Sequence, residues 1–496
     1  MTIDILPDDV LIGILNLYID QAQSRDDTER SSTGSVRAED AWQVLVHVCR
    51  RWRCIVFELS TSLNLLLLYT PRRHVRTMLD VWPPLPISIY SREQLQHPTK
   101  RNNVIEALKQ HSRIYKIDIE NPPNALMEAM KEPFPELTSL KLTWFGTTGA
   151  PGPPVLPDSF LGGSAPRLRL LSLCEIPFPA MGKLLLSTSG LVMLRLRHIS
   201  HSGYFSPEGI VACLSSLTRL EILDIRFKPF RPPLSLAIRN PYPSPHSRIV
   251  IPALSSFHFT GDSKYLEKIV AQIDAPLLNH FHISFFSEST LDTPLLRHFL
   301  SCWEAFQSFD QAEAAIGQHR IGSVLYPRKR MTDPKVPVLI IETSESEGEE
   351  GEEEEEYVWS LEEICSLSLP PLVAVECLEI RQTRWYRGEH TGNARWLEIL
   401  RPFTSVTKLV LYNELAGRVA PALQTLTAER VPKFLPALQD ISIVGPQLSR
   451  PIQEAIEQFV ATRELFGCSI TVHHREFGQD SLRYRLPLSA CVPMDW

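Results

Sequence analysis

The side chains in this sequence that are best suited to chemistry are histidines and cysteines. They bind metals or act in catalysis when several of them lie close together. His280 and His282 stand two residues apart, and His473 and His474 are adjacent, but neither pair has a clustered cysteine or carboxylate at ligand spacing. The nine cysteines are scattered, odd in number and form no Cys-x-x-Cys pair. This pattern favours reduced thiols over a zinc site or a disulfide framework.

Motifs of enzymatic chemistry are also missing from the sequence. It contains no nucleophile elbow, no phosphate-binding glycine loop and no HExxH zinc helix. We therefore expect a protein that is not an enzyme and that needs no metal and no cofactor.

A second kind of chemistry, the recognition of anions, is indicated by basic residues that recur beside apolar triplets. The triplets have the form apolar-x-x-apolar-x-apolar, as in Leu137-Leu140-Leu142 and Leu191-Leu194-Leu196. Successive residues of a strand face opposite sides, so the polar residues inside and just after each triplet share one face. The basic members of that face, predicted to bind substrate, are Lys141, Arg195, Arg197, Arg226, His258 and His282. They suit an acidic or phosphorylated partner segment. The alternative is that they only keep the strands soluble.

The spacing of the triplets predicts the elements that carry these residues. Successive triplets begin 23 to 34 residues apart, with one longer gap of 97 residues. Most of these intervals suit leucine-rich units of about 20 to 29 residues or a slightly longer variant. Pro or Ala often precedes a triplet, and helix-like stretches such as 206–216 lie between triplets. We predict an α/β fold, an irregular leucine-rich-repeat solenoid in which each unit stacks on its neighbours.

The N-terminal segment has a helical pattern instead. Pro7 and two aspartates stand where a helix begins, and apolar residues from Val10 to Tyr18 follow at helical spacing. A polar stretch, 24–40, is expected to be a loop. A second apolar face runs from Trp42 to Phe57 at intervals of three to four residues. The pattern predicts a short helix facing a longer one.

Two stretches of this segment carry a resemblance to a known family. Leu6-Pro7-Asp8-Asp9-Val10-Leu11 and Val48-Cys49-Arg50-Arg51-Trp52-Arg53-Cys54-Ile55-Val56 resemble the two ends of the F-box motif, especially in the F-box-like proteins of mushroom-forming fungi. The resemblance covers about the first 57 residues closely, and parts of 63–87 also look like that family. The polar stretch between the two ends is longer than the usual F-box spacing.

The resemblance implies a role in ubiquitin ligation. An F-box segment would bind a Skp-type adaptor and, through it, a cullin, while the repeats would hold a protein substrate. By motif position, the residues expected to contact the adaptor are Leu6, Pro7, Val10, Leu11, Ile14, Trp52 and Val56. The alternative is a leucine-rich-repeat scaffold whose F-box-like segment only caps the solenoid.

Charge and hydropathy complete the prediction. The net charge of −7 and the pI of about 6.1 argue against a nucleic-acid partner. The most apolar run, 65–69, is too short to cross a membrane, and we expect a cytoplasmic or nuclear protein. Ten glutamates between 342 and 356 predict a solvated acidic tract.

The predicted organisation is an all-helical F-box-like segment over 1–60, repeats over 61–300, an insertion over 301–372, and repeats with a C-terminal cap over 373–496.

Overall fold

The computed structural model describes residues 6–26, 41–58, 67–71, 85–92, 95, 97–146, 152–179, 181–199, 206–228, 248–286, 293–303, 309–316, 320–326, 338–344, 370–382, 393–426, 430, 433–445 and 448–475. Within these ranges, residues up to Tyr204 belong to one compact unit, and Phe205–Leu488 belong to a second. None of the described helices combines the length and the hydropathy needed to cross a lipid bilayer.

The first unit begins with three helices, α1 (Asp8–Asp26), α2 (Ala41–Val46) and α3 (Arg50–Glu58). The prediction of a short helix facing a longer one is wrong in two respects. Helix α1 continues to Asp26, into the stretch expected to be a loop, and the second apolar face is divided between α2 and α3. At the division the amides of His47 and Val48 donate to the carbonyls of Val44 and Leu45. This tightened turn contains neither Gly nor Pro, so the sequence shows no break there.

A parallel sheet of six strands follows in the first unit. Its strands are β1 (Leu67–Tyr69), β2 (Ile87–Ser91), β3 (Ile114–Glu120), β4 (Ser139–Thr143), β5 (Leu170–Cys174) and β6 (Met193–Ile199), paired in chain order. The described return segments are α4 (Pro98–Leu108), α5 (Asn124–Ala129), α6 (Met181–Leu186) and short 3-10 turns at His111–Arg113 and Phe160–Gly163. The predicted first strand at 87–89 lies in β2, and β1 precedes it.

The second unit contains the remaining strands and helices. The strands are β7 (Ile222–Phe227), β8 (Ile249–Val250), β9 (Ser256–Gly261), β10 (Ile273–Asp274), β11 (His280–Phe286), β12 (Gln311–Ile316), β13 (Arg320–Tyr326), β14 (Val338–Ser344), β15 (Cys377–Gln382), β16 (Lys408–Tyr412), β17 (Asp440–Val444) and β18 (Thr471–Arg475). The helices are α7 (Pro207–Leu214), α8 (Ser263–Val270), α9 (Pro294–Ser301), α10 (Pro370–Ala374), α11 (Asn393–Leu400), α12 (Asn413–Gln424) and α13 (Arg450–Leu465).

The strand order of the second unit departs from the chain order at one place. The main sheet runs β7-β9-β11-β14-β13-β12-β15-β16-β17-β18, and only β13 is antiparallel to its neighbours. Strands β8 and β10 form a separate parallel pair. The region 301–372, expected to be an insertion with at most one degraded repeat, therefore adds three strands to the sheet. The triplet search missed β14 because it is a continuous apolar run, Val338–Ile341, without the repeat spacing.

A recurring turn explains why Pro precedes so many triplets. Pro sits second in a four-residue turn that is closed by a hydrogen bond from the first leucine amide of the triplet to the carbonyl three residues earlier. The turns with Pro at this position are Phe134–Leu137, Ala165–Leu168, Ile251–Leu254, Ala275–Leu278 and Leu435–Leu438, with N···O distances of 3.0 to 3.3 Å. Each turn directs the chain into the next parallel strand.

The apolar residues of the triplets form the core of both units. In the first unit Leu140, Leu171 and Leu194 lie opposite one another on adjacent strands and are buried. In the second unit Leu409 and Ile441 are paired and buried in the same way. Both units are thus mixed α/β structures of the leucine-rich-repeat type, with a parallel sheet and helical or turn-rich return segments.

Candidate functional site

The N-terminal helices divide the predicted adaptor-binding residues into two groups. Leu11, Trp52 and Val56 are buried among the helices, so they contribute to the local core and offer no surface to a partner. The residues that are exposed or half-buried are Leu6, Pro7, Val10 and Ile14. Only this second group is placed where a partner can touch it.

Helix α1 carries an exposed apolar stripe that is longer than the predicted one. Val10, Ile14, Leu17 and Tyr18 are 43%, 39%, 71% and 40% exposed, and their spacing places them on one side of the helix. The adjacent side carries Leu11 and Leu15, which are buried. The sequence pattern merged these two apolar sides into one face and left out Leu17. We call Val10, Ile14, Leu17 and Tyr18 the α1 stripe.

Arg51 joins the two ends of the F-box-like motif. Its Nη2 lies 2.6 Å from the carbonyl oxygen of Leu6 and 2.5 Å from Oδ1 of Asp8. Its Nε lies 3.1 Å from the same carboxylate. Arg53 donates from Nε to the carbonyl oxygen of Val46 at 3.0 Å, which ties α3 to the end of α2. The two stretches that carry the resemblance are therefore in direct contact, although more than 40 residues separate them.

The polar strand face of the first unit is rich in cations. On β2 to β6, together with Arg92 just after β2, the charged residues of this face comprise five cations and two carboxylates. They are Arg92, Lys116, Lys141, Arg195 and Arg197 against Asp118 and Glu120. When Glu175, which directly follows β5, is counted in the same way as Arg92, these described residues have a net charge of +2.

The two carboxylates of this face lie at its β2–β4 side. Nε of Arg92 is 3.5 Å from Oε1 of Glu120, and Nζ of Lys141 is 3.8 Å from Oδ2 of Asp118. Burial raises the pKa of Glu120, and Asp118 adds to this effect, while Arg92 and Lys141 oppose it. On β5 and β6 the face carries Arg195 and Arg197, and the amide of Glu175, directly after β5, donates to the carbonyl oxygen of Arg197 at 2.9 Å.

The three predicted basic residues of the second unit have close polar partners. Nε of Arg226 is 2.7 Å from Oδ1 of Asp224, and Nε2 of His258 is 3.0 Å from the hydroxyl of Ser256. Nε2 of His282 is 2.6 Å from Oε1 of Glu342. The His258 and His282 rings meet edge to face, with centroids 5.5 Å apart. In this unit the predicted basic stripe is a mixed network, in which acidic residues balance the basic ones.

Glu342 corrects the interpretation of the acidic tract. It was expected to lie in the solvated segment 342–356, but it belongs to β14 and is 1% exposed. Its carboxylate is held by His282 across the β11–β14 pair. The tract from 345 onward lies outside the described residues.

A second charged network lies further along the same sheet. Nε of Arg381 is 2.7 Å from Oε1 of Glu379 and 3.5 Å from Oε1 of Glu313, and the Tyr412 hydroxyl donates to Glu379 at 2.7 Å. Burial alone would lower the pKa of Arg381, but Glu313 and Glu379 outweigh it and raise that pKa. Burial, reinforced by Glu379, raises the pKa of Tyr412. Glu313 comes from β12, so the repeat pattern did not reveal it.

The histidines and cysteines have no metal-binding arrangement in the described part of the chain. No group of three or more His, Cys, Asp or Glu residues there is placed to hold an ion. His473 lies 3.6 Å from Asp440 on the neighbouring strand, at an exposed position. The cysteines within these ranges are free thiols.

Comparison with known proteins gives limited information. No family model matches the chain, and no curated protein matches it. Among solved structures, the chain is similar to the leucine-rich repeat-containing protein LegL7 from Legionella pneumophila. The identity is 12% and the TM-score is 0.25, over 81% of this chain and 98% of that one. The leucine-rich-repeat character of the two units rests on their own strand pairing, buried triplets and recurring turns.

Proposed function

We propose that this chain is a non-catalytic, substrate-recruiting subunit of a Skp–cullin–F-box type ubiquitin ligase that acts in the cytoplasm or nucleus. The N-terminal helices would bind a Skp-type adaptor, and the polar strand faces would hold the protein to be modified. The observation that supports this most directly is the α1 stripe, which lies next to the Arg51 contact joining the two motif ends.

The α1 stripe has the properties of a surface that needs a partner. Soluble proteins expose single apolar side chains often, but several on one side of a helix indicate an interaction site. Val44 and Val48, on and just after α2, are also about half exposed. Burying side chains of this size contributes roughly 1.5 to 3 kcal/mol each, so a few of them are enough to dominate an interface.

Co-purification with a recombinant Skp-type adaptor tests the proposal. We expect the wild-type chain to retain the adaptor, and Ile14→Asp with Leu17→Asp to weaken retention by at least about tenfold, since charges cannot be buried in an apolar interface. The matched control is Val155→Asp with Leu186→Asp, which makes the same charge change at exposed apolar residues of the repeats.

Trp52 is unsuitable for this experiment because it is buried, and its replacement would disturb the helices themselves. Retention by the Ile14 and Leu17 double variant equal to that of the wild type would contradict the role of the α1 stripe.

A leucine-rich-repeat scaffold is the second candidate. In that case the F-box-like segment would only cap the repeats, a role favoured by the burial of Leu11, Trp52 and Val56. A folded wild-type chain that retains no adaptor would favour the scaffold and overturn the ligase proposal.

A further inference from the structure

We infer that the last strand of the second unit, β18, binds an extended acidic segment of the recruited protein, which joins the sheet as a further strand. We call the side of Thr471–Arg475 that faces away from β17 the β18 edge. The inference rests on the proposed function only in assigning the segment to a recruited protein. The chemistry of the β18 edge itself does not depend on the adaptor.

The β18 edge offers backbone groups for pairing. β18 is the last strand of the main sheet, and in the described part of the chain no strand lies on its other side. The Thr471 amide donates to the residue before β17 at 2.8 Å, and the Arg475 carbonyl accepts from the residue after β17 at 2.9 Å. Alternate residues of a strand direct their backbone groups to opposite neighbours. The N–H and C=O groups of Val472 and His474 therefore face the β18 edge, where they form a template for an incoming strand.

β18 also differs from the neighbouring strands in its exposure. Leu411, Ile443 and His474 take the same position in β16, β17 and β18. The first two are 1% exposed and belong to the core, whereas His474 is exposed. On the other face of β18, Thr471 and Arg475 are exposed as well. A partner at the β18 edge therefore meets backbone groups and polar side chains, and not another buried apolar triplet.

The side chains of β18 favour an acidic partner. His473, His474 and Arg475 follow one another, and β18 itself carries no carboxylate. His473 lies 3.6 Å from Asp440, but that carboxylate is on β17, so β18 separates it from an incoming strand. Opposite charges across neighbouring strands stabilise their pairing, and like charges destabilise it. A second copy of this chain would bring the same three basic side chains to the edge, so charge favours a segment with consecutive Asp or Glu residues over self-pairing.

A palindromic peptide, Thr-Val-Glu-Glu-Glu-Val-Thr with both ends capped, tests this inference with the full-length chain. Whether the strands are parallel or antiparallel, it can place its glutamates opposite His473, His474 and Arg475 and a valine opposite Val472. We expect it to bind at least about tenfold more tightly than the same peptide with three glutamines, because only the charge pairs differ between the two. Fluorescence anisotropy of the labelled peptides measures both affinities.

Methylation of the peptide backbone separates strand pairing from general charge attraction. Amides of alternate residues point to the same neighbouring strand. Methylating one alternate set of amide nitrogens should therefore weaken binding by at least about tenfold, and methylating the other set should change it by less than about twofold. Loss with the set that includes the middle glutamate would indicate antiparallel pairing, and loss with the other set would indicate parallel pairing. Either pattern supports the inference.

Variants of the chain connect the binding to the β18 edge. His474→Gln with Arg475→Gln should lower the affinity for the glutamate peptide by at least about fivefold. The matched control, Arg297→Gln with His298→Gln, changes an adjacent exposed pair of the same residue types on α9 and should have no effect. Val472→Pro removes an amide that faces the edge and should abolish binding. Thermal unfolding checks that each variant is folded, and the methylated peptides test the same pairing if Val472→Pro is not.

Three peptide results would overturn the inference. They are equal binding of the glutamate and glutamine peptides, equal weakening by the two methylated sets, and a control pair that lowers the affinity as much as the β18 pair does. Self-association of the chain that Val472→Pro abolishes would also overturn it, since a second copy would then occupy the edge. Peptide binding without adaptor retention would leave the inference standing and overturn the ligase proposal. Adaptor retention without peptide binding would do the reverse.

Discussion

At the scale of single residues, several buried or half-buried side chains satisfy the carbonyl groups of the recurring turns. Arg463 on α13 is 0% exposed and donates to the carbonyl oxygens of Phe434, Leu435 and Pro436 at 2.8, 3.2 and 3.2 Å. The indole N–H of Trp303 donates to Ala275 at 3.2 Å in the same manner. The carbonyls of Leu435 and Ala275 also accept from the amides of Leu438 and Leu278, so the turns mainly provide the acceptors that the buried guanidinium and indole N–H groups need.

Replacing Arg463 should therefore destabilise the protein markedly. Arg463→Met keeps much of the aliphatic volume but removes the Arg463 donors from the carbonyls of Phe434 and Pro436, and we expect a loss of about 2 to 4 kcal/mol in the free energy of unfolding. Burial lowers the pKa of Arg463 because removal from water disfavours the charged guanidinium. Urea denaturation measures the change.

Arg450 on the same helix provides the control. It is highly exposed and pairs with Glu454 at 3.0 Å, so Arg450→Met should change stability by less than about 0.5 kcal/mol. Equal effects of the two substitutions would show that the turn contacts of Arg463 contribute nothing specific.

At the scale of elements, the sequence predicted the repeated parts of the fold and missed the parts that depend on distant contacts. Triplets such as Leu140-Leu142 form strands as expected because burying alternate leucines requires a strand. The division between α2 and α3 could not be predicted because it contains neither Gly nor Pro, and β14 was missed because its continuous apolar run lacks the repeat spacing. Glu342 was assigned to the acidic tract because its partner His282 lies 60 residues away.

The packing of β9 against β7 makes a prediction at this scale. A Cβ atom at Gly261 would lie 2.8 Å from Phe227 and 2.9 Å from the ring of Phe259. Both rings also pack on Tyr265. Gly261→Ala should therefore destabilise the second unit by about 1 to 3 kcal/mol through overpacking.

Gly190 is the matched position for this substitution. A Cβ atom there meets its nearest neighbour, the carbonyl oxygen of Pro166, at 3.6 Å, which is an ordinary contact. Gly190→Ala should be close to neutral in the same thermal or urea unfolding experiment. If Gly261→Ala is equally neutral, the rings of Phe227 and Phe259 must move aside at little cost in free energy. That result would contradict the close packing expected of this cluster.

At the scale of the whole molecule, each unit is built from strands that pair mainly with the strands next to them along the chain. The β16–β17–β18 series, for example, repeats one register, Leu409 to Ile441 to Val472. In such arrays, stability is approximately a sum of local terms for each repeat and its interfaces. A destabilising substitution in one repeat should therefore lower the local stability mainly of that repeat and of the adjacent ones.

Hydrogen exchange on Arg463→Met tests this expectation. The substitution removes donors from the turn that leads into β17, so amide protection should fall in β16, β17 and β18. Protection in β3 and β4 should stay within the range of the wild type because those strands belong to the other compact unit. A uniform loss of protection throughout the described strands would contradict this picture, since it would mean that the chain opens as one cooperative body.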